Sequence, residues 1–427
     1  MTTIRIAAAA TAIYLLATGA ATVAQGSRAE HWVGTWATAV VPRPQAAPGG
    51  NPGPGPAPLN FNNQTLRQVV HVSLGGGRVR VVLSNAFGTS PLVVGGASVA
   101  LRQKDARIVG GSNRPLTFSG NPTTTVAAGA IAVSDAVTLT VPALADLAID
   151  VFLPADTAAS PSPLTTHNGA LQTNYVSTAG NHVGAGEFPV STTTQAWFFL
   201  SAVDVIAPAS VGAVVAFGDS ITDGTLSTPD TNNRWPDSLA RRLMPAGRGG
   251  TPQPMGVLNE GIAGNRVLTD FVGPNALARF DRDVLAQSGV SHVILLEGIN
   301  DLGLAGNGQP IPSAADIIAG HKQIVERAHA HGLKVIAGTL LPFEGTNLGA
   351  IAPGYYSSEK DSRRQALNER IRADRGYDGV IDFEAAVRDP SQPLQLLAQL
   401  KGADNLHLND AGYQAMANAV NLALLRR

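Results

Sequence analysis

The pattern of apolar and polar positions divides the chain into two parts. From about residue 60 to residue 206, short runs alternate apolar and polar residues, turn residues separate the runs, and no long helical pattern appears. A period of two predicts strands with one buried face. Residues 27–206 are therefore predicted to form an all-β domain, a sandwich or a jelly roll. The predicted strands include Leu92–Val94, Ala97–Leu101, Val137–Val141, Leu147–Leu153 and Ala196–Val205.

Two runs near the start of this part predict a hairpin. Leu66–Leu74 and Val79–Leu83 both approach a period of two, and Gly75-Gly76-Gly77 lies between them. A glycine turn between two such runs is typical of antiparallel strands joined by a short connection. Before them, Pro42 to Pro58 is rich in Pro, Gly and Ala, which predicts a loop rather than a regular element.

After Pro208 the pattern changes to strands that alternate with helices. This alternation predicts a parallel sheet with helices on both faces, so residues 208–427 are expected to form an α/β domain that begins near residues 206–212. The predicted strands are Ala213–Phe217, Val257–Asn259, His292–Glu297, Lys334–Leu340 and Val380–Asp382. The predicted helices are Trp235–Leu243, Ala276–Leu285, Ala314–His331, Asp361–Arg372 and Ala411–Leu425.

Composition limits the classes of function. The chain has 427 residues, of which 44% are hydrophobic and 14% charged, so it is long enough for two buried cores. A formal net charge of -1 gives no basic surface for nucleic acid. The chain has no cysteine, which excludes disulfides, thiolate metal sites, a cysteine nucleophile and a lipid-modified cysteine.

Residues 1–24 resemble a secretory signal peptide. Arg5 supplies a positive start, Ile6 to Ala17 is apolar, and the small residues Thr22 and Ala24 suit positions -3 and -1 of a cleavage site. A membrane anchor needs about 20 apolar residues, and this run is shorter. We therefore expect a secreted or periplasmic protein without a stable membrane anchor.

One stretch predicts chemistry. The apolar run Val211–Phe217 is followed by Gly218-Asp219-Ser220, which places a serine at the carboxyl end of a buried strand, where ligands of α/β sheets bind. A serine hydroxyl is a weak nucleophile until a base removes its proton. His407 lies three residues after Asp404 on one short loop, so a carboxylate can hold one ring nitrogen while the other faces the serine. Asn409 or Asp410 is expected to cap the last helix and fix that loop.

Two more loops follow predicted strands of the same sheet. Gly264 can bring a backbone N–H close to a substrate oxygen, and Asn300 can donate from its side-chain amide. Acyl transfer needs such donors where the tetrahedral intermediate becomes negative. The longer loop Pro342–Ser358, with Phe343 and Tyr355, is either a rim of the substrate cleft or an ordinary surface loop.

The residues Gly218-Asp219-Ser220, Gly264, Gly298 to Asp301, and Asp404 to His407 resemble, in this order, the four sequence blocks of GDSL/SGNH hydrolases. The resemblance covers about residues 211–427 and implies a flavodoxin-like, three-layer α/β fold. It also implies Ser220 as nucleophile, His407 as base and Asp404 as its orienting acid. The N–H groups of Ser220 and Gly264 and the amide of Asn300 would then form the oxyanion hole. The first block has Ile221 where the family has leucine, which keeps an apolar contact.

The front half resembles, less specifically, the β-domain that precedes a secreted arylesterase/acylhydrolase branch of that family. The segments concerned are Trp32–Ala37, Leu66–Val70 and Arg80–Asn85. The resemblance implies an exported serine ester hydrolase without metal or cofactor. Its expected substrates are short-chain acyl esters of small molecules or polysaccharides, such as acetylated carbohydrate or aryl esters. A lipase or lysophospholipase and a glycan-binding protein with secondary esterase activity remain alternatives, and the oligomeric state is open.

Overall fold

The computed structural model describes residues 30–45, 60–244, 254–306 and 310–426. The proposed signal peptide and most of the loop Pro42–Pro58 lie outside these ranges, although Pro42 and Arg43 belong to a strand and not to the predicted loop. Residues His31–Arg427 cluster as one compact unit. Its first seventeen strands are β1 Trp32–Ala37, β2 Val41–Arg43, β3 Gln64–His71, β4 Gly76–Ser84, β5 Leu92–Val94, β6 Gly96–Lys104, β7 Arg107–Ile108, β8 Arg114–Pro115, β9 Thr124–Val126, β10 Ile131–Val133, β11 Val137–Val141, β12 Asp146–Leu153, β13 Leu164–Asn168, β14 Asn174–Ala179, β15 Val190–Thr194, β16 Ala196–Phe198 and β17 Leu200–Ile206.

The N-terminal part is largely strands, as predicted, with one 3-10 turn at Thr157–Ala159. Two antiparallel sheets dominate it, with the strand orders β1-β17-β4-β10 and β15-β14-β3-β12-β6-β7. β11 also pairs with β4, β8 also pairs with β6, and two smaller sheets have the orders β16-β13-β2 and β5-β9. The β region is therefore established, while its classification as a sandwich or jelly roll stays a prediction.

The predicted hairpin is wrong. β3 pairs with β12 and β14, whereas β4 pairs with β17, β10 and β11, so the two consecutive strands lie in different sheets. The reason is that β3 is buried on both faces, and its polar Arg67 is neutralised by Asp150 of β12 at 2.7 Å. The predicted strand Ala196–Val205 is also interrupted, because Phe199 has a φ of 57° and separates β16 from β17. Alternation identified the strands but not their partners.

The C-terminal part contains a five-stranded parallel sheet. Its strands are β18 Ala213–Gly218, β19 Gly256–Gly261, β20 Val290–Leu296, β21 Lys334–Gly338 and β22 Gly379–Ile381, in the spatial order β19-β18-β20-β21-β22. Read along the chain this is the order 2-1-3-4-5 of the flavodoxin-like fold, with its switch point between β18 and β20. All six residues of β18, an interior strand, are buried, as expected for a strand with both faces covered.

Eight α-helices accompany the sheet in the described ranges: α1 Ser220–Asp223, α2 Trp235–Leu243, α3 Ala276–Phe280, α4 Ile299–Gly303, α5 Ala314–Ala330, α6 Ser358–Ala373, α7 Phe383–Val387 and α8 Asp410–Ala419. Short 3-10 turns lie at Gly349–Ile351 and Leu422–Leu425. The five predicted helices are present. However, the helix predicted over Ala276–Leu285 changes to a π-helix at Asp281–Leu285, and α8 ends before the final 3-10 turn. Asn409 caps α8 through its side chain, 3.0 Å from the N–H of Gly412.

The outer edge of the parallel sheet is covered by the N-terminal strands. Val257 of β19 donates its N–H to Ser73 Oγ at 2.9 Å, and Thr38 forms a parallel bridge with Asn259. Gly256 allows this approach, because a Cβ there would lie 2.0 Å from the carbonyl oxygen of Gly34. An uncovered edge strand exposes unpaired N–H and C=O groups, and the N-terminal part removes that exposure. In the described ranges, no helix is long and apolar enough to span a bilayer.

Candidate active site

The candidate site begins where β18 ends. Asp219 is the N-cap of α1 and its Oδ1 accepts the N–H of Ile221 at 2.9 Å. This cap places Ser220 in the first turn, at the carboxyl edge of the sheet, with 5% of its surface exposed. Gly224 ends α1 with a φ of 94°, a conformation that favours glycine.

Three predicted residues form one line of hydrogen bonds. Ser220 Oγ lies 2.8 Å from His407 Nε2, and His407 Nδ1 lies 2.6 Å from Asp404 Oδ2. The other carboxylate oxygen of Asp404 accepts the N–H groups of Leu406 and His407 at 3.0 and 2.9 Å. Burial raises the pKa of Asp404, but the hydrogen bond and charge of His407 and the two N–H groups together lower it to about 2. The aspartate is therefore ionised at neutral pH and holds the imidazole in place.

The predicted oxyanion donors come from two neighbouring loops. Gly264 has a φ of 79° and follows β19, and Asn300 lies in the first turn of α4, after β20. Asn300 Nδ2 donates one hydrogen to the carbonyl of Asn265 at 3.0 Å, while its Oδ1 accepts the hydroxyl of Tyr355 at 2.8 Å. Within the described part of the chain, no acceptor takes the N–H of Ser220, the N–H of Gly264 or the second amide hydrogen of Asn300. These donors are available to a substrate oxygen.

A buried arginine connects the loops that carry these groups. Arg279 donates to the carbonyls of Gly218 and Glu260 at 2.9 and 2.8 Å, and to Asn265 Oδ1 at 2.8 Å. Its charge faces the carboxylate of Glu297 at 3.2 Å. The loops after β18 and β19 are thus held to the end of β20 by one side chain.

Two buried acids flank the site. Burial raises the pKa of Asp219 to about 7 and that of Asp301 to about 6. Asp301 accepts the N–H groups of Val267 and Leu268 at 2.7 and 3.0 Å, so it anchors the loop that follows Gly264.

Neither alternative for the loop Pro342–Ser358 describes Tyr355, because its side chain is 2% exposed and its hydroxyl donates to Asn300 Oδ1 at 2.8 Å. Phe343 of the same loop is fully buried and packs edge-on against Tyr355 with ring centroids 5.9 Å apart. The sequence did not predict the burial of Phe343 or Tyr355, because the conformation of an irregular loop determines which of its aromatic side chains turn inward.

Sequence reasoning also missed a histidine of the N-terminal part. His167 of β13 lies 3.1 Å from Asp223 of α1 through Nε2, and its Nδ1 lies 2.8 Å from the carbonyl of Ala39. A carbonyl and a carboxylate only accept, so the ring carries a proton on both nitrogens and is an imidazolium. Burial lowers the pKa of His167, but the charge and hydrogen bond of Asp223 and the Ala39 carbonyl outweigh it, so the pKa is raised. His167 and Asp223 are 56 positions apart in the sequence, so no local pattern indicated this contact.

A serine, a histidine and an aspartate joined in one line at the switch point of a parallel α/β sheet are the arrangement of a serine hydrolase. Residues 216–415 match the model of the GDSL-like Lipase/Acylhydrolase family. The C-terminal part is therefore a domain of this family, and the protein is a carboxylic ester hydrolase.

Three bacterial proteins are among the solved structures to which part of this chain is similar. An inhibitor-bound aryl esterase from M. smegmatis is 17% identical, with a TM-score of 0.38, over 49% of this chain and 95% of the other. The carbohydrate acetylesterase Est24 from Sinorhizobium meliloti has the same values. A GDSL-like lipase from Bacteroides thetaiotaomicron is 21% identical, with a TM-score of 0.38, over 51% of this chain and 88% of the other. No curated protein sequence matches the chain.

Proposed function

We propose that the protein is an exported serine esterase that hydrolyses short-chain acyl esters through a covalent acyl-enzyme, with Ser220, His407 and Asp404 as its catalytic triad. The observation that carries the proposal is the continuous line from Ser220 Oγ through both ring nitrogens of His407 to Asp404, with contacts of 2.8 and 2.6 Å. Only a serine whose proton has an acceptor can attack an ester at neutral pH.

In this mechanism, Ser220 Oγ attacks the ester carbonyl while His407 Nε2 accepts its proton. The carbonyl oxygen becomes negative and receives hydrogen bonds from the N–H groups of Ser220 and Gly264 and from the Asn300 amide. The C–O bond to the alcohol breaks as His407 returns the proton to the leaving oxygen. Water then attacks the acyl-enzyme, gives its proton to His407, and the acid leaves as Ser220 is reprotonated. Asp404 stays ionised throughout and stabilises the imidazolium.

Export and substrate size have support of their own. The apolar stretch before residue 24 supports a cleaved signal, and the resemblance to the secreted arylesterase/acylhydrolase branch supports acetyl or simple aryl esters.

The experiment is a hydrolysis series of p-nitrophenyl esters from acetate to palmitate, with acetylated xylan measured beside them. We expect a maximum at short acyl chains and no turnover by the Ser220→Ala variant, whose fold is checked by circular dichroism. A maximum at long chains would replace the short-chain esterase by a lipase. Wild-type turnover in Ser220→Ala would reject Ser220 as nucleophile.

A further inference from the structure

A cavity of about 380 Å³ is lined by residues that follow Gly264 and Asn300 in the chain. Its walls come from the loop after Gly264, from the end of α4 and from the segment before Tyr355; the residues that matter here are Arg266, Phe271, Gly303, Leu304, Ile351 and Lys360. Ligand sites in proteins commonly measure about 300–1,000 Å³, so this space is large enough for part of a substrate. Phe271 and Ile351 are 55% and 86% exposed, which places the mouth of the cavity at the solvent.

Two residues of the cavity wall pack against groups of the predicted oxyanion hole. The ring of Phe271 would be 3.3 Å from a Cβ added to Gly264, so it packs directly on that glycine. Gly303 lies one helical turn after Asn300 in α4. It packs on the ring of Tyr355, and the hydroxyl of Tyr355 donates a hydrogen bond to Asn300 Oδ1. Three residues of helix rise by about 4.5 Å, so an arm of a few atoms on a bound ester reaches this space.

The charged residues that line the cavity are cations, and the carboxyl of Asp301 lies within electrostatic range of one of them, Arg266. Arg266 and Lys360 are its two charged residues, and no carboxylate occurs among the described residues that line it. Lys360 is already engaged, because its ammonium donates to the carbonyls of Gly303 and Gly354 at 2.8 and 2.7 Å.

Arg266 is the cation with unused donors. Its guanidinium lies 5.0 Å from the centre of the Phe271 ring, and its two Nη contacts, to Thr269 Oγ1 and the Leu304 carbonyl, are long at 3.3 and 3.4 Å. Its Nε is buried and has no hydrogen-bond partner. The long Nη contacts leave that edge of the guanidinium to a ligand, and a guanidinium binds a carboxylate through two parallel N–H groups.

We propose that this cavity binds a carboxylate-bearing arm of the ester substrate, and that Arg266 is the specificity-determining residue that pairs with it. The inference rests on the proposed esterase function and names its substrate class as an anionic ester. Apolar walls would contact the carbon skeleton of the arm, and Arg266 would neutralise its end. The carboxylate belongs either to the acyl group or to the alcohol.

The test compares anionic esters with neutral esters of similar size, using the full chain. For the acyl side the pair is p-nitrophenyl hemiglutarate and p-nitrophenyl hexanoate; for the alcohol side it is 4-acetoxybenzoate and 4-methylphenyl acetate. Each is measured with wild type, Arg266→Gln, Arg266→Lys and the control Arg107→Gln, which removes an exposed arginine of β7 far along the chain. The readout is kcat/KM, with p-nitrophenyl acetate as the common reference.

We expect Arg266→Gln to lower kcat/KM for one anionic ester by about tenfold to a hundredfold, the usual loss for a hydrogen bond to a charged group. For the matched neutral ester and for p-nitrophenyl acetate, kcat/KM should change by less than about threefold. Arg266→Lys should retain part of the preference for the anionic ester. Arg107→Gln should behave as wild type. The affected pair identifies whether the arm is on the acyl or the alcohol side.

Equal losses on anionic and neutral esters, or no loss on either, would overturn the inference while the acetate reference still reports an active esterase. Absence of acetate hydrolysis by the wild type would instead reject the proposed function. If Arg266→Gln does not fold, the site is tested instead by competitive inhibition of the wild-type enzyme. Glutarate or benzoate should inhibit acetate hydrolysis at concentrations where glutaramide and benzamide do not, and equal inhibition by acid and amide would count against the site.

Discussion

The contact between His167 and Asp223 predicts that one side chain of the N-terminal part stabilises the helix that begins with Ser220. The perturbation is His167→Gln, which removes the charge but keeps an amide of similar length. Asp223 would then be a buried carboxylate that has lost its ion-pair partner, one helical turn from Ser220.

The expected magnitude follows from burial. The side chains of His167 and Asp223 are 4% and 7% exposed, so water cannot replace the lost partner. Removing one member of a buried ion pair costs about 3–5 kcal/mol, and we expect the lower end because glutamine retains one donor. The control is His329→Gln. His329 lies 2.8 Å from Asp378, but these side chains are 40% and 33% exposed, and exposed pairs contribute about 0–1 kcal/mol.

The assay is urea denaturation at pH 7 of the two single variants, of Asp223→Asn and of the double variant His167→Gln/Asp223→Asn. The double variant should be less destabilised than the sum of its single changes, with a coupling of about 1–3 kcal/mol, because no lone charge remains. His167→Gln should also lower kcat, since α1 carries the nucleophile. The reasoning is refuted if His167→Gln destabilises no more than His329→Gln, or if the two changes at the buried pair simply add.

Three further predictions concern the site and its surroundings. Asn300→Ala should lower kcat by about 10²–10³ with a smaller change in KM, the cost of one oxyanion donor; an increase in KM at constant kcat would assign Asn300 to substrate binding. Asp219→Asn should be more stable than wild type at pH 8 and lose that advantage near pH 5. In the folded protein the pKa of Asp219 is about 7, above the usual value of about 3.9, so the free energy of unfolding of the wild type falls as pH rises from about 4 to about 7. If urea unfolding of wild type and Asp219→Asn gave parallel pH profiles, the prediction would be contradicted. The fragment 208–427 should be far less soluble than the full chain, because it uncovers β19; a soluble fragment with full activity on aryl esters and acetylated xylan would refute this.

The elements that sequence analysis predicted best are those whose pattern is local. The five parallel strands, the helix Trp235–Leu243 and the capping residue Asn409 follow from short apolar runs and helix-end residues. Asp404 and His407 were predicted as a pair because three residues of one turn determine their distance. Their contact with Ser220 was expected because both segments meet at one edge of the sheet.

The elements that were missed depend on distant contacts. The partners of β3 and β4 were wrong because strand alternation reports which face is buried and not which strand lies alongside. The bond from Tyr355 to Asn300 and the clamp made by Arg279 depend on how loops fold back, and no spacing in the sequence encodes that. The roles of the triad and of the oxyanion donors stay predictions until variants are assayed.

The coverage of β19 by the N-terminal strands has a consequence for the order in which the chain matures. Ser73 and Val257, which join the two parts, are 184 residues apart, so the contact forms only after most of the polypeptide exists. Ribosomes add about 5–20 residues per second, which separates the two residues by about 10–40 s of synthesis. For most of that interval β1 lacks its partner β17, which is complete only at Ile206, and β19, which Thr38 borders just after β1, is made later still. The first strand described in the structure is thus among the last to be completed, and such long-range closure is typical of slow folding.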